Sequence, residues 1–318
     1  MIYLPRIIWI LPFIVTLSAS ALAADDRTIP IIDAHSQMDH EISIEEIIRL
    51  MDEAGVARTI LSPRRNVKPE RFLAGVSRCP DRIIPAVRTK GNHYIEGRPD
   101  AFKKYLDNQA RNSRYGAMGE VLIWHAEKYH HTQNKPIAPQ VVFPPDSPKV
   151  GIALKTAARK GWPFIAHIEF AAIGPDREKF MSGFEALLNA HRDHPFVLIH
   201  MGELEAEDVR RLIESHGNIH FITAMCNPVA LKNTREPLVN LFEQDVLAPR
   251  WKDLFIAYSD RFILGFDNVW ARHWRKIYIP QVLLWRKALG GLPEDVAHQI
   301  AHGNAERLWN LMEKTGRK

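Results

Sequence analysis

Cysteine is almost absent. Two residues, Cys79 and Cys226, in a chain of 318 exclude a disulfide framework and a four-thiolate metal site, and leave one bridge open in an oxidising compartment. Any metal must then rely on imidazole and carboxylate, which are plentiful, with 15 His and 37 Asp and Glu. No basic stripe interleaved with aromatics is present, so the net charge of +5 points to no nucleic-acid partner. After residue 25 there is no low-complexity tract and no Gly- and Ser-rich linker, which gives one domain. The N-terminal apolar run, residues 7–17, is interrupted by Pro12 and is well short of the roughly 20 residues that span a bilayer. No Gly-rich dinucleotide turn follows the first β-branched run, where Asp33-Ala34-His35-Ser36-Gln37 stands instead, and a nucleotide-binding doubly wound sheet is disfavoured.

What the N-terminus does contain is Arg6, the short apolar run and Ala21-Leu22-Ala23 before Ala24, the layout of a secretory signal with a small-x-small cleavage site. The expected organisation is a signal peptide over 1–23 and one domain over 24–318, periplasmic or secreted and free of the membrane after cleavage. No Cys follows the cleavage site, so a lipid anchor is unsupported. A small-molecule substrate is the expected partner, and a homodimer is left open.

Short β-branched or apolar runs recur at 30–35, 58–62, 83–87, 117–123, 164–168, 196–200, 219–223 and 262–266. Amphipathic stretches separate most of them: Ser43-Ile44-Glu45-Glu46 is a capping box opening a helix that stops near Gly55, and 179–191, 206–216 and 285–289 carry similar stripes. Alternating β and α over one domain predicts a parallel sheet. The seven steps from His35 to Asp267 average about 33 residues, close to the roughly 31 of an eight-unit (β/α)8 TIM barrel.

In such a barrel the site lies where the strands end. Those ends are His35 and Gln37, then Arg64 and Arg65, Arg88 and Lys90, Glu120, His167, His200, Asn227 and Asp267. Three His, two carboxylates and an amide converge on one rim, and His and carboxylate are ligands for a catalytic divalent ion that keeps a position open for water. Each alone reads as a satisfied core His, an ion-pair partner or a loop cap. Together they end otherwise apolar strands, where an unpaired buried polar group costs about 1 to 3 kcal/mol.

The stretches Asp33 to Gln37, Gly119-Glu120, Phe164-Ile165-Ala166-His167, Leu198-Ile199-His200-Met201-Gly202 and Asp260 to Asp267, with Gly303-Asn304-Ala305-Glu306-Arg307-Leu308, resemble the amidohydrolase superfamily, in its amidohydrolase-related branch. The resemblance spans nearly all of 24–318. It implies a distorted barrel holding one divalent ion, zinc or similar, on His35, His167 and Asp267. His200 would ligate a second metal or polarise the substrate carbonyl, and Asp267 would act as general base. The departure is Gln37, where the branch usually has a second His on the first strand. An amide oxygen is a poorer zinc ligand, and the branch includes metal-independent lactone hydrolysis.

The leading expectation is hydrolysis of a small anionic acid's ester or lactone by Asp267 and His200, with Glu120 orienting His167 or bridging. Arg64, Arg65 and Arg88 suit a carboxylate, although two adjacent Arg are not expected both to point inward. Trp124, His125, Tyr129, His130 and His131 would wall the pocket, with Asn227 at the seventh strand end. A decarboxylase of the same branch is the first alternative, and a catalytically silent acid-binding barrel, motivated by Gln37, is the second.

Overall fold

The computed structural model describes residues 29–130, 132–133 and 135–311, so the expected signal segment 1–23 lies outside them. Each of the eight runs forms a strand: Ile31–Met38, Val56–Pro63, Ile83–Val87, a fourth split into Ala117–Met118 and Val121–His125, then Phe164–Ile168, Phe196–Leu198, Ile219–Ile222 and Phe262–Ile263. Neighbours pair in parallel. The ring closes between last and first through Ala34 N–H to Leu264 O at 3.0 Å and Asp267 N–H to His35 O at 2.8 Å. The result is the expected (β/α)8 barrel.

The sixth strand ends earlier than its apolar run, and the cause is backbone handedness; the same handedness returns just past the eighth run. His200, Met201, Gly202 and Glu203 have φ of 56°, 55°, 67° and 54°, and Asp267 has 47°, left-handed values that cannot continue a ladder. The fourth strand breaks at Gly119, where a Cβ would sit 3.1 Å from Val87 O. Lacking one, the chain packs close and turns Glu120 into the barrel.

The helix expected after the first strand spans Ile44–Ala54. Ser43 Oγ accepts from Glu46 N–H, Gly55 terminates the helix at φ 73°, and Ile44, Ile47, Leu50, Met51 and Ala54 form its buried face. Further helices at Arg177–Ala190 and Ala206–Ser215 match their stripes, while Ile279–Leu289 starts earlier than its stripe, with Pro280 in its first turn. Inside the ring, Ile32, Ala34, Ile60, Ala86, Ala117, Ile165, Val197 and Ile263 pack with Ala305, Leu308 and Trp309 of the closing helix Asn304–Trp309. That helix is held by Asn304 Nδ2, which donates to Ser259 O and Phe262 O, both at 2.7 Å.

At the opposite end a hairpin, Lys128–Tyr129 against Pro136–Ala138, and the strand Val141–Val142 beside Val121–His125 stand over the strand ends. Cys79 is half-buried, Cys226 is buried, and both are free thiols; the one bridge left open by the sequence is not formed. Among the described residues, no helix is long and apolar enough to cross a membrane.

Candidate active site

The first strand supplies His35 and Gln37, two residues apart and therefore on one face. Asp33 anchors them: its carboxylate accepts from His35 N–H at 3.2 Å, Ser36 Oγ at 2.6 Å and Phe266 N–H at 3.0 Å. It thereby ties the first strand to the segment that carries Asp267. Burial pushes Asp33 up to about 7, against the pull of these hydrogen bonds.

Glu120 is the hub. Its Oε1 accepts from Gln37 Nε2 at 3.0 Å, His35 Nε2 at 3.3 Å and the Lys90 ammonium, and its Oε2 from His167 Nδ1. Asp267 Oδ1 accepts from Gln37 Nε2 at 3.0 Å and lies 3.4 Å from His35 Nε2, while Oδ2 lies 3.6 Å from His200 Nε2. The second nitrogen of His167 donates to Glu169 Oε1 at 2.7 Å, and Lys128 Nζ reaches Glu169 at 2.5 Å and Glu236 at 3.1 Å. The expected residues His35, Gln37, Glu120, His167, His200 and Asp267 thus meet in one place.

Their electrostatics differ in sign. Burial alone would lower His35 and His167, but hydrogen bonds and charge from Asp267 and Glu120 raise the first, and Glu120 with Glu169 raise the second, each to about 9. Burial would raise Glu120; the charges of Lys90 and His167, with the His hydrogen bonds, hold it well below the ordinary carboxylate range. Asp267 is likewise held down against burial by the His35 hydrogen bond. His200 is lowered by burial and by the charge of His167. Its Nδ1–H donates to Ala224 O at 2.9 Å, so the neutral ring presents Nε2 as an acceptor. In that state His200 takes a proton rather than polarising a carbonyl.

Two connected lobes open beside this cluster, with volumes of about 200 and 130 Å³. Arg64, Arg65, Lys90, Glu120, His125 and Ala138 line both. Arg88 lines the larger; His167, His200, Asp267, Trp270 and Arg272 line the smaller. Both adjacent arginines, Arg64 half-buried and Arg65 exposed, reach the Trp270 ring: their guanidinium carbons sit 3.9 Å and 4.1 Å from its centroid. Arg65 manages this through a left-handed φ of 48°. Arg88 is fixed by bonds to Arg65 O at 2.6 Å and Lys90 O at 3.0 Å.

Two expected substrate contacts are corrected. Asn227 is buried and caps the helix Pro228–Leu231, its Oδ1 accepting from Val229 and Ala230 N–H and its Nδ2 donating to Gln281. The Asn-Pro pair is itself the signal of a cap. Trp124 packs edge-on against Phe180, with ring centroids 5.3 Å apart, because strand alternation sends it outward and His125 inward. Tyr129 does wall the smaller lobe; His131 lies outside the described residues. Sequence reading passed over Glu169, two residues beyond His167 and just past the strand's end, and Trp270. It also passed over Glu203, whose two oxygens are buried without a hydrogen-bond partner and which burial and the charge of Glu169 push up to about 8.

Candidate ligand groups for a metal are present: His35, Glu120 and Asp267; Glu120, His167 and His200; His125, His167 and Glu169; and Glu169, Glu203 and Glu236, each with ligand atoms within 4.8 Å of one another. As arranged, the central donor set does not fit a divalent ion. Gln37 turns its NH2 to both carboxylates, Lys90 places an ammonium on Glu120, and His167 has both nitrogens on carboxylates, leaving it no lone pair.

The sequence profile of the amidohydrolase family matches residues 140–311, just over half the chain, including His167, His200 and Asp267. Two solved structures are similar in fold. An uncharacterized TIM-barrel protein of Bordetella bronchiseptica is 15% identical over 85% of this chain and 83% of its own, with a TM-score of 0.53. The phosphotriesterase homology protein of Escherichia coli, complexed with phosphate in its active site, is 11% identical over 90% of this chain and 100% of its own, with a TM-score of 0.55. No match to a curated protein was found.

Proposed function

The chain belongs to the amidohydrolase family, and from that premise we propose that it hydrolyses a small carboxylate-bearing ester or lactone at its Asp267 and His200 rim, outside the cytoplasm. The observation that carries the reading is a pair of proton acceptors beside a cationic wall. Asp267 Oδ2 and His200 Nε2, 3.6 Å apart, line the same lobe as Arg64, Arg65 and Lys90. A water held by both acceptors attacks the substrate carbonyl; its oxygen forms the new C–O bond, and its proton passes to Asp267 and on to His200. The carbonyl oxygen gains negative charge in that step, and the Lys90 cation faces the space where it develops. The bond to the leaving oxygen then breaks, and the alkoxide takes the proton from His200. A second carboxylate on the substrate finds guanidinium partners in Arg64 and Arg65, stiffened on Trp270. No step passes through a metal ion. Export rests on Arg6, the apolar run 7–17 and Ala21-Leu22-Ala23.

The test is a base-uptake assay on a panel of carboxylate-bearing esters and lactones. Hydrolysis consumes one equivalent of base per acid formed. Carbon dioxide release would replace hydrolysis with decarboxylation, and carboxylate binding without turnover on any panel member would replace it with the silent binder.

Two outcomes follow for an active substrate. Arg64→Met is expected to raise KM roughly 10- to 100-fold with little change in kcat, the size of a lost charged hydrogen bond; kinetics on substrates with and without a second carboxylate check it. In the pH profile of kcat/KM, protonation of His200, held below 6.5, gives an acid limb below that value. Deprotonation of His35 and His167 at about 9 discharges the cluster and gives an alkaline limb there. Activity that peaked above about 9 would contradict the reading.

A further inference from the structure

We propose that Gln37 and Lys90 together stand in the place of the divalent ion implied by the family, so that the centre is completed by the chain's own N–H donors and takes up no resident ion. Glu120 and Asp267 are the two carboxylates an ion here would bridge, and Gln37 already does so. The two hydrogens of its Nε2 go to Glu120 Oε1 and Asp267 Oδ1, both at 3.0 Å. With two ionised acceptors facing it, only the NH2 end of the amide fits that position, since the carbonyl end would set three oxygens against one another. Lys90 then adds a full positive charge on the same Glu120 oxygen.

Charge counting gives the same result from geometry alone. His167 lies between Glu120 and Glu169, and satisfying both requires a proton on each ring nitrogen, hence a cation. Lys90 and His167 already stand on Glu120, and Lys128 with His167 stands on Glu169. A divalent ion would bring two more positive charges into a neighbourhood where Glu120 is 1% exposed and solvent cannot screen them. The same device recurs beside it: Glu169 and Glu236, two members of the adjacent acidic group, share the ammonium of Lys128. The inference goes beyond the hydrolytic reading and does not depend on it.

The experiment is elemental analysis and thermal unfolding of the purified chain after zinc chloride loading and dialysis, for the wild type, Lys90→Met, and Gln37→His with Lys90→Met. His298 Nδ1 and His302 Nε2 lie 3.1 Å apart on the outside of the barrel, so all proteins carry His302→Ala to remove a surface chelate. The expected result is well under one zinc per chain in the wild-type centre, with no change in Tm on adding EDTA, and one zinc per chain in the double variant, with a Tm that zinc raises. Should the double variant fail to fold, zinc uptake by Lys90→Met above the wild-type level carries the same expectation. One zinc per chain in the wild-type centre, with an EDTA-sensitive Tm, overturns the proposal. So does a folded double variant that stays free of zinc, because the ion would then be excluded by something other than these two residues. Neither readout changes if the substrate proves to be something other than an ester.

Discussion

Asp267→Asn is expected to lower kcat by roughly 10²- to 10⁴-fold, the range spanned by loss of a general base, while leaving the fold in place. The amide is isosteric with the carboxylate it replaces. Its oxygen can take the position of Oδ1 and accept from Gln37 and His35, which lie 3.0 and 3.4 Å away. Its NH2 then takes the position of Oδ2 and faces His200 Nε2, an acceptor in the neutral ring because Nδ1–H is committed to Ala224 O. Every hydrogen bond has a partner; what is removed is the ability to accept a proton from water, together with one of the two charges that raise His35. Turnover measured beside Tm separates the two effects. A variant that keeps its Tm and also keeps its rate would move the base elsewhere.

The largest stability loss is expected at Glu120, and it comes from the partners left behind. Glu120 receives Lys90, His35, Gln37 and His167 where little solvent reaches. In Glu120→Gln the cations on that carboxylate face a neutral amide. Removing one partner from a buried ionic group typically costs about 3 to 5 kcal/mol, read as a fall in the urea midpoint at unchanged slope. The contrast is Glu53→Gln, which breaks an exposed pair with Arg49 at 3.4 Å and is expected to change stability by less than about 1 kcal/mol. The pH dependence has a definite sign. His35 and His167 are raised from 6.5 to about 9, so their contribution is complete below 6.5 and is lost as pH rises through about 9. In the wild type the urea midpoint should therefore fall across that window, and in Glu120→Gln it should fall less, since much of what raises the two His is gone.

The barrel was legible because its strands are short β-branched runs at nearly even spacing, and because a polar residue ending an apolar strand is hard to explain otherwise. His35, Glu120, His167, His200 and Asp267 were found that way, and they do meet. What sequence could not supply was direction. Gln37 read as a weak ligand, yet its neighbours are two carboxylates, and these turn its NH2 rather than its oxygen toward the centre. Arg64 and Arg65 do part, one half-buried and one exposed, yet the positive φ of Arg65 brings both guanidiniums onto Trp270. Trp124 and His125 were placed together although neighbouring strand residues must part. Asn227 was read for its position at a strand end when the following Pro already made it a helix cap. The errors lie at the junctions between elements, where one dihedral angle decides what a side chain faces.

The turn after the sixth strand also bears on how the barrel carries strain. His200, Met201, Gly202 and Glu203 run four residues in the left-handed region, a mirror-image helix for L-amino acids, at about 1 to 2 kcal/mol for each residue with a Cβ. Gly would relieve that at any of the three other positions. At Met201 that relief would be outweighed, because its side chain is fully buried in the core and truncating it costs about 2 to 5 kcal/mol. His200 and Glu203 have no such apolar packing to offset the strain: one is a buried imidazole beside Asp267, the other a buried carboxyl without a hydrogen-bond partner. The turn is therefore where the barrel holds its longest run of strained backbone, and the imidazole it delivers to Asp267 is the plainest use of it.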